Sequence, residues 1–306
     1  MASGGTIKAG VVGLGSMGLG MARSMVKRGI DVAGFDLNPA AKDELAASGG
    51  RAVASAADAL RDADVALIVV VNAAQAESVL FGSEAAAKAM KPGGVIIASP
   101  TMAPEDARRL AEKAAAAGLL YLDAPISGGA AKAARGELTV MASGSQEAFA
   151  RARPVLDAIA GKVYELGDRA GVGASFKMVN QLLAGVHIAA ACEAMTFAAK
   201  LGLDLPKVYE VITASAGNSW MFENRVPHIL DGDYSPRSAV AIFTKDLGIV
   251  GDMGRREKFP LPVAATALQM FLMTAAAGME RDDDASVARM LAGLTGVHLP
   301  EKSDED

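Results

Sequence analysis

The first half of the chain alternates short apolar runs with alanine-rich stretches that repeat at helical spacing. "KAGVVGLG" (8–15) predicts a strand, and "MGLGMARSMVKRG" (17–29) a helix closed by Gly29. "DVAGFDL" (31–37) predicts a second strand, and "AAKDELAASG" (40–49) a helix that stops at Gly49 and Gly50. "VALIVVV" (65–71), "GGVIIAS" (93–99) and "LLYLDAPIS" (119–127) predict three more strands, apolar on both faces. "GELTVMASG" (136–144) predicts a further strand near a sheet edge. Strands and helices alternating at this spacing predict a parallel sheet covered on both faces.

Past about residue 165 the pattern changes. β-branched runs give way to alanine- and methionine-rich stretches at 173–201, 206–215, 238–258 and 263–278, each with helical periodicity. The expected fold class is α/β. A Rossmann-type parallel-sheet domain at 1–167 precedes an all-helical domain for substrate and oligomer contacts at 168–306. The charged tail "EKSDED" (301–306) is expected to fray.

Composition narrows the classes. Of 306 residues, 51% are hydrophobic and 21% charged, so the chain can bury a large core. A net charge of -5 argues against a nucleic-acid partner and against an anionic membrane surface. The N-terminus lacks the basic-then-apolar order of a signal peptide, and no uninterrupted apolar window reaches the ~18 residues of a membrane span. The single cysteine, Cys192, excludes an intrachain disulfide and fits a reducing cytoplasm. His187, His228 and His298 show no metal-ligand spacing, so no metal is expected.

The strongest chemical signal is "VVGLGSMG" (11–18), which sets Gly13, Gly15 and Gly18 in G-x-G-x-x-G spacing between a strand and a helix. Gly13 permits a tight turn, Gly15 lets backbone approach a pyrophosphate, and Gly18 allows close helix–strand packing. The loop and first turn, Gly13, Leu14, Gly15, Ser16, Met17 and Gly18, are the candidate phosphate cradle, with the helix N-terminus offering N–H groups and a positive dipole. Asp36 closes the second strand 23 positions after Gly13, where an acid accepts hydrogen bonds from ribose hydroxyls and repels a 2′-phosphate. No arginine follows in "FDLNP", so the expected cofactor is NAD and not NADP. Asn72 and Thr101 follow the third and fourth of these strands, at the sheet end that faces a cofactor crevice.

"GVGASFKMVNQLLAG" (171–185) places Lys177 inside an otherwise apolar helix. Such a lysine can simply run its stem along apolar surface to reach solvent. Gln181 follows one turn later on the same face, and Gly173 and Gly185 on that face are expected to leave room beside Lys177 for another body. A partly desolvated lysine near other cations can serve as a base toward an alcohol. "ISGG" supplies Ser127, Gly128 and Gly129, a hydroxyl with exposed backbone N–H groups that can cradle a carboxylate, or a turn whose serine caps the next helix. Asn218, Trp220, Phe222 and Arg225 are expected either in a loop that shapes specificity or in packing.

Four segments in order resemble the β-hydroxyacid dehydrogenase family over almost the whole chain: "GLGSMGLGMARSM", "DAPISGGAAKAARGELTVMASG" (123–144), the Lys177 helix, and "FTKDLGIV" (243–250). The resemblance implies NAD-dependent oxidation of a small hydroxy acid. It makes Lys177 the general acid–base, Ser127, Gly128, Gly129 and Gln181 substrate contacts, and Lys245 a second lysine close to nicotinamide and substrate. Asp246 would orient its neighbours. The family usually carries Asn where this chain has Gln181, which puts plain 3-hydroxyisobutyrate specificity in doubt. It commonly has Ser before the threonine, where this chain has Pro100. The stretches at 182–195, 214–225 and 232–248 are most similar to the L-threonate-oxidising branch. Tartronate semialdehyde reduction and 3-hydroxyisobutyrate oxidation are the alternatives. Members that only bind chromatin have lost the lysine, and imine reductases on this scaffold generally replace it. The family's members are usually dimers or tetramers, which implies a homodimer or homotetramer.

Overall fold

A computed structural model describes residues 6–302, so Ser303–Asp306 of the expected frayed tail lie outside the described residues. The chain divides into two compact units between Lys177 and Met178.

The first unit is built on six parallel strands: β1 (Lys8–Val12), β2 (Asp31–Phe35), β3 (Arg51–Ala52), β4 (Val65–Ile68), β5 (Val95–Ala98) and β6 (Leu120–Asp123). Their order is β3-β2-β1-β4-β5-β6, so the chain reverses direction across the sheet between β1 and β4. Alternation within each strand feeds two cores. Val11, Leu67 and Ile97 point to one face, against helices α1 (Ser16–Lys27), α2 (Pro39–Ala47), α6 (Gly129–Arg135) and α7 (Gln146–Ile159). Val12, Ile68 and Ile96 point to the other, against α3 (Ala56–Leu60), α4 (Ala73–Phe81) and α5 (Pro104–Ala116). Gly29 follows α1 with φ +78°, a left-handed stop that a side chain would strain.

Three strand expectations change. β4 ends at Ile68, three residues short of the apolar run. The run at 119–127 breaks at Ala124-Pro125, because Pro125 has no N–H for a ladder, and continues as β7 (Ile126–Ser127). β8 (Leu138–Ala142) is not an edge. It is the centre of a second sheet, antiparallel to β7 and parallel to β9 (Ala160–Glu165). Backbone bonds in both directions between Asp123 and Ser143 (3.0 and 2.8 Å) tie this sheet to the end of β6.

The helix α8 (Val172–Lys200) begins in the first unit and runs through the second, which also holds α9 (Leu205–Thr213), α10 (Trp220–Leu230), α11 (Val240–Arg256), α12 (Pro262–Thr274) and α13 (Val287–Thr295). The core here centres on Ile188, Cys192 and Met195 of α8, with the Phe243 and Phe271 rings stacked at 5.2 Å. α10 corrects the loop expected around Trp220. The Ser219 hydroxyl accepts the Phe222 N–H at 3.0 Å and starts a helix on which Trp220 faces outward and Phe222 inward. Of the two alternatives, Arg225 shows packing. It is buried against the Asp284 carboxylate, with bonds of 2.6 and 3.1 Å. Val172–Lys200 and Pro262–Met279 are long and apolar enough to cross a membrane by length and composition, although neither is an unbroken apolar run. Half of the first one's apolar window is buried within the protein, as in the core helix of a globular domain.

Candidate active site

The glycine loop follows β1 and opens α1. Gly13 has φ +95°, and a Cβ there would lie 2.4 Å from the Val69 carbonyl oxygen. A Cβ on Gly18 would lie 1.9 Å from the Gly13 oxygen, so strand end and helix approach as closely as backbones allow. A Cβ on Gly15 would meet nothing within 4 Å. Gly15 is thus the one member of the motif whose backbone faces open space, and α1 starts there without a side-chain cap. Gly15 and Ser16 are exposed and Met17 is half-buried, while Leu14 is buried in the core beneath the loop. This is the shape and polarity that a dinucleotide pyrophosphate requires.

Asp36 lies one residue past β2. Its Oδ2 accepts the Leu14 N–H at 2.6 Å and its Oδ1 accepts the Asn38 N–H at 2.8 Å. The acid therefore braces the glycine loop from the neighbouring strand. Asn72 caps α4: its side-chain oxygen accepts the Gln75 N–H, and the Gln75 side chain in turn accepts the Val71 N–H, both at 2.9 Å. Thr101 is half-buried, three residues past β5.

A third group gathers at the end of β6. Asp123 is buried, and its Oδ2 accepts the N–H groups of Gly171 (2.9 Å) and Ala174 (2.8 Å) at the start of α8. The Ser143 hydroxyl accepts the Gly173 N–H at 2.9 Å. Burial pushes the Asp123 carboxyl up to about 6, against the opposing effect of these donors. Three residues after Ala174, Lys177 is itself buried, 7% exposed, and its Nζ donates to the Ile126 carbonyl at 2.8 Å. Solvent-seeking stem packing does not describe this lysine. Ser127 follows Ile126 at the end of β7, paired in register with Thr139. Gly128, with φ +139°, and not Ser127, precedes α6, and no side chain caps that helix. Gly129 is exposed, with open space where a Cβ would stand.

In the second unit, Gln181 is buried and donates from Nε2 to Asp246 Oδ2 at 2.5 Å, while its Oε1 accepts from Asn180 at 2.9 Å. The other Asp246 oxygen pairs with Lys245 Nζ at 2.7 Å. The room expected from Gly173 and Gly185 is taken by the protein. A Cβ on Gly173 would lie 2.3 Å from the Met141 oxygen, and one on Gly185 would press on Leu247 at 2.9 Å. Gly173 seats the helix against the first unit's Met141, and Gly185 seats it against the second unit's Leu247. Asp123 and Ser143, though inside the motif at 123–144, went unassigned from sequence. The available signal was an acid at the C-terminal end of a parallel strand. Among the described residues, no group of three or more His, Cys, Asp or Glu side chains gathers to hold a metal.

The fold and these groups define a dinucleotide-dependent dehydrogenase. The sequence profile for the NAD binding domain of 6-phosphogluconate dehydrogenase matches residues 8–167, and that for the NAD-binding of NADP-dependent 3-hydroxyisobutyrate dehydrogenase matches residues 171–291. The chain belongs to the 3-hydroxyisobutyrate dehydrogenase family of β-hydroxyacid dehydrogenases and is an NAD(P)-dependent hydroxyacid dehydrogenase. It is 54% identical to L-threonate dehydrogenase of Cupriavidus necator, over 96% of this chain and 98% of the relative. It is 51% identical to L-threonate dehydrogenase of Haemophilus influenzae, over 95% and 96%. A crystal structure named 3-hydroxyisobutyrate dehydrogenase, from Salmonella typhimurium, superposes with a TM-score of 0.90 at 52% identity, covering 93% of this chain and 99% of that one.

Proposed function

We propose that the enzyme oxidises L-threonate with NAD at the hydroxyl next to the carboxylate, giving a 2-oxo acid, with Lys177 as the general base. The observation that carries the reading is a buried Lys177 whose Nζ is fixed on the Ile126 carbonyl, beside the Ser127-Gly128-Gly129 turn. Residues 1–167 would bind the dinucleotide through Gly13, Leu14, Gly15, Ser16, Met17, Gly18, Asp36, Asn72 and Thr101. Residues 168–306 would complete substrate binding and the oligomer. When bound, the oxidised nicotinamide supplies the hydride acceptor.

The chain's own residues handle the proton and the carboxylate. Neutral Lys177 takes the hydroxyl proton as hydride leaves carbon, and the resulting ammonium keeps its bond to the Ile126 carbonyl. In reverse it returns the proton to the carbonyl oxygen. Ser127 and the N–H groups after it hold the substrate carboxylate. The lysine anchor at 126 and this cradle at 127–129 are adjacent in the chain, as the reacting hydroxyl and carboxylate are adjacent in L-threonate. Gln181, fixed by Asp246, contacts a further substrate oxygen, and Lys245 contributes positive charge toward carboxylate and cofactor.

Asp36 supports NAD over NADP because a carboxylate at that place repels a 2′-phosphate. On α8, Val179, Leu183, Ala190, Ala194 and Phe197 form an exposed apolar stripe, which supports a homodimer or homotetramer. One cysteine and no possible intrachain disulfide support a cytoplasmic enzyme. Initial rates with L-threonate, D-threonate, D-glycerate and 3-hydroxyisobutyrate, each with NAD and NADP, test the reading. At least a tenfold kcat/KM preference for L-threonate with NAD is expected, roughly 1.4 kcal/mol of discrimination. Oxidation of 3-hydroxyisobutyrate is the second reading, favoured by the name of the Salmonella structure. A preference for that acid would replace the substrate and keep the mechanism.

A further inference from the structure

Lys177 can act only where its helix puts it, and the start of that helix is held by side chains from elsewhere in the fold. An α-helix leaves its first N–H groups without partners. In α8 the Gly171 and Ala174 N–H groups donate to a single oxygen of Asp123, at 2.9 and 2.8 Å, and the Gly173 N–H donates to Ser143 Oγ at 2.9 Å. Local capping takes its acceptor from the residue that begins the helix. Here the acceptors stand 48 and 30 positions earlier in the chain, so the cap docks the helix as well as ending it. Gly173 closes the fit, since any side chain there would strike the Met141 and Asp123 carbonyl oxygens. Asp123 also begins the segment that carries Ile126, whose carbonyl receives Lys177 Nζ. The same short stretch of chain therefore fixes the helix start with its first residue and the amine with its fourth.

We infer that Asp123 is a positioning residue for the reaction: its carboxylate docks the first turn of α8 so that Lys177 Nζ is presented on the Ile126 carbonyl in the geometry proton transfer needs. The inference rests on the reading of Lys177 as the acid–base. Asp123 would touch neither substrate nor cofactor. Its action would run through the helix.

The test is a set of variants of the full chain, assayed for kcat, KM and, by reduced-dinucleotide fluorescence, cofactor Kd. Lys177→Ala comes first: loss of turnover with cofactor Kd unchanged supports the acid–base reading, and retained turnover overturns that reading and the inference with it. Asp123→Ala is then expected to lower kcat about 10- to 100-fold, the range a displacement of about 1 Å can cost, with cofactor Kd within twofold. Asp123→Asn keeps an acceptor oxygen for the helix N–H groups and is expected to recover most of the lost kcat. Ser143→Ala, which frees only the Gly173 N–H, is expected to act in the same direction with smaller effect. Should Asp123→Ala fail to fold, Asp123→Asn and Ser143→Ala carry the test alone, with a kcat decrease of at least threefold expected in Ser143→Ala. Folded Asp123 and Ser143 variants with kcat within twofold of the parent, while Lys177→Ala is inactive, overturn the positioning role and leave the acid–base reading standing. A kcat loss in Asp123→Ala that Asp123→Asn does not recover overturns docking through the acceptor.

Discussion

Gln181 donates its amide to Asp246 at 2.5 Å, so the residue that departs from the family's usual asparagine is held by an acid on α11. The longer side chain is what reaches that acid. Gln181→Asn withdraws the amide by one methylene and releases it from Asp246. The kcat/KM for L-threonate is expected to fall about tenfold, an effect of roughly 1.4 kcal/mol. The ratio of 3-hydroxyisobutyrate to L-threonate turnover should rise. Competition kinetics with both acids would measure this, and an unchanged ratio would remove Gln181 from specificity.

Asp36 has two duties that substitution can separate. Its Oδ2 holds the Leu14 N–H, and its charge would meet a 2′-phosphate. Asp36→Asn keeps an acceptor for Leu14 and removes the charge. The preference for NAD over NADP is expected to drop at least tenfold, about 1.4 kcal/mol, with thermal stability close to the parent's. Asp36→Ala should lose NAD affinity as well, because the loop loses its brace. Paired KM measurements with the two dinucleotides decide it.

Burial of Asp123 makes a prediction about stability and pH. Its carboxyl sits at about 6 in the folded protein, against an ordinary value of 3.8. Between those values the folded state holds more protons than the unfolded state, so stability falls as pH rises through that window. The contribution is full below pH 3.8 and is lost above about 6. Asp123→Asn does not titrate. Its stability relative to the parent should therefore climb from pH 4 to pH 7 by an amount on the order of 3 kcal/mol. Denaturant unfolding at both ends of the range would show it, and a constant difference would contradict it.

Arg225 and Asp284 form a buried ion pair in the helical unit, with the acid fully enclosed. Burial raises the Asp284 carboxyl to about 6 and Arg225 opposes that rise. Arg225→Ala leaves the acid without its cation and is expected to cost about 3–5 kcal/mol. Asp284→Asn in the same chain should return part of it. Because neither residue belongs to the proposed chemistry, kcat per folded molecule should be unchanged. A loss of kcat without a loss of Tm would move Arg225 back toward the substrate.

The parallel sheet and the cofactor loop were legible because each rests on local rules. Apolar runs of strand length, glycines at fixed spacing and an acid at the next strand's end are all written in neighbouring residues. Asn72 is legible only by its place after a strand, and its cap on α4 with Gln75 emerges from the structure. The second sheet was not legible. β9 reads "AGKVYE", with four of its six residues exposed, and only its pairing with β8 makes it a strand. α10 was missed because Trp220 and Phe222 do not share a helix face, and the helix separates them by exposing one and burying the other. Gly173 and Gly185 were misread for a related reason. A missing side chain marks close approach, and sequence does not say whether the approaching body is a ligand or the protein's own backbone.

Gly15 differs from its two partners in the loop in what forbids a side chain there. At Gly13 and Gly18 the protein's own carbonyl oxygens stand in the way. At Gly15 the backbone has ordinary dihedrals and nothing of the protein comes near. An added methyl would meet no atom of the protein, and its steric consequence would appear when the dinucleotide arrives. Folding and ligand binding are thus uncoupled at a single backbone position. The intact, unliganded Gly15→Ala protein would be a natural reference state against which the cofactor's own contribution to stability could be weighed.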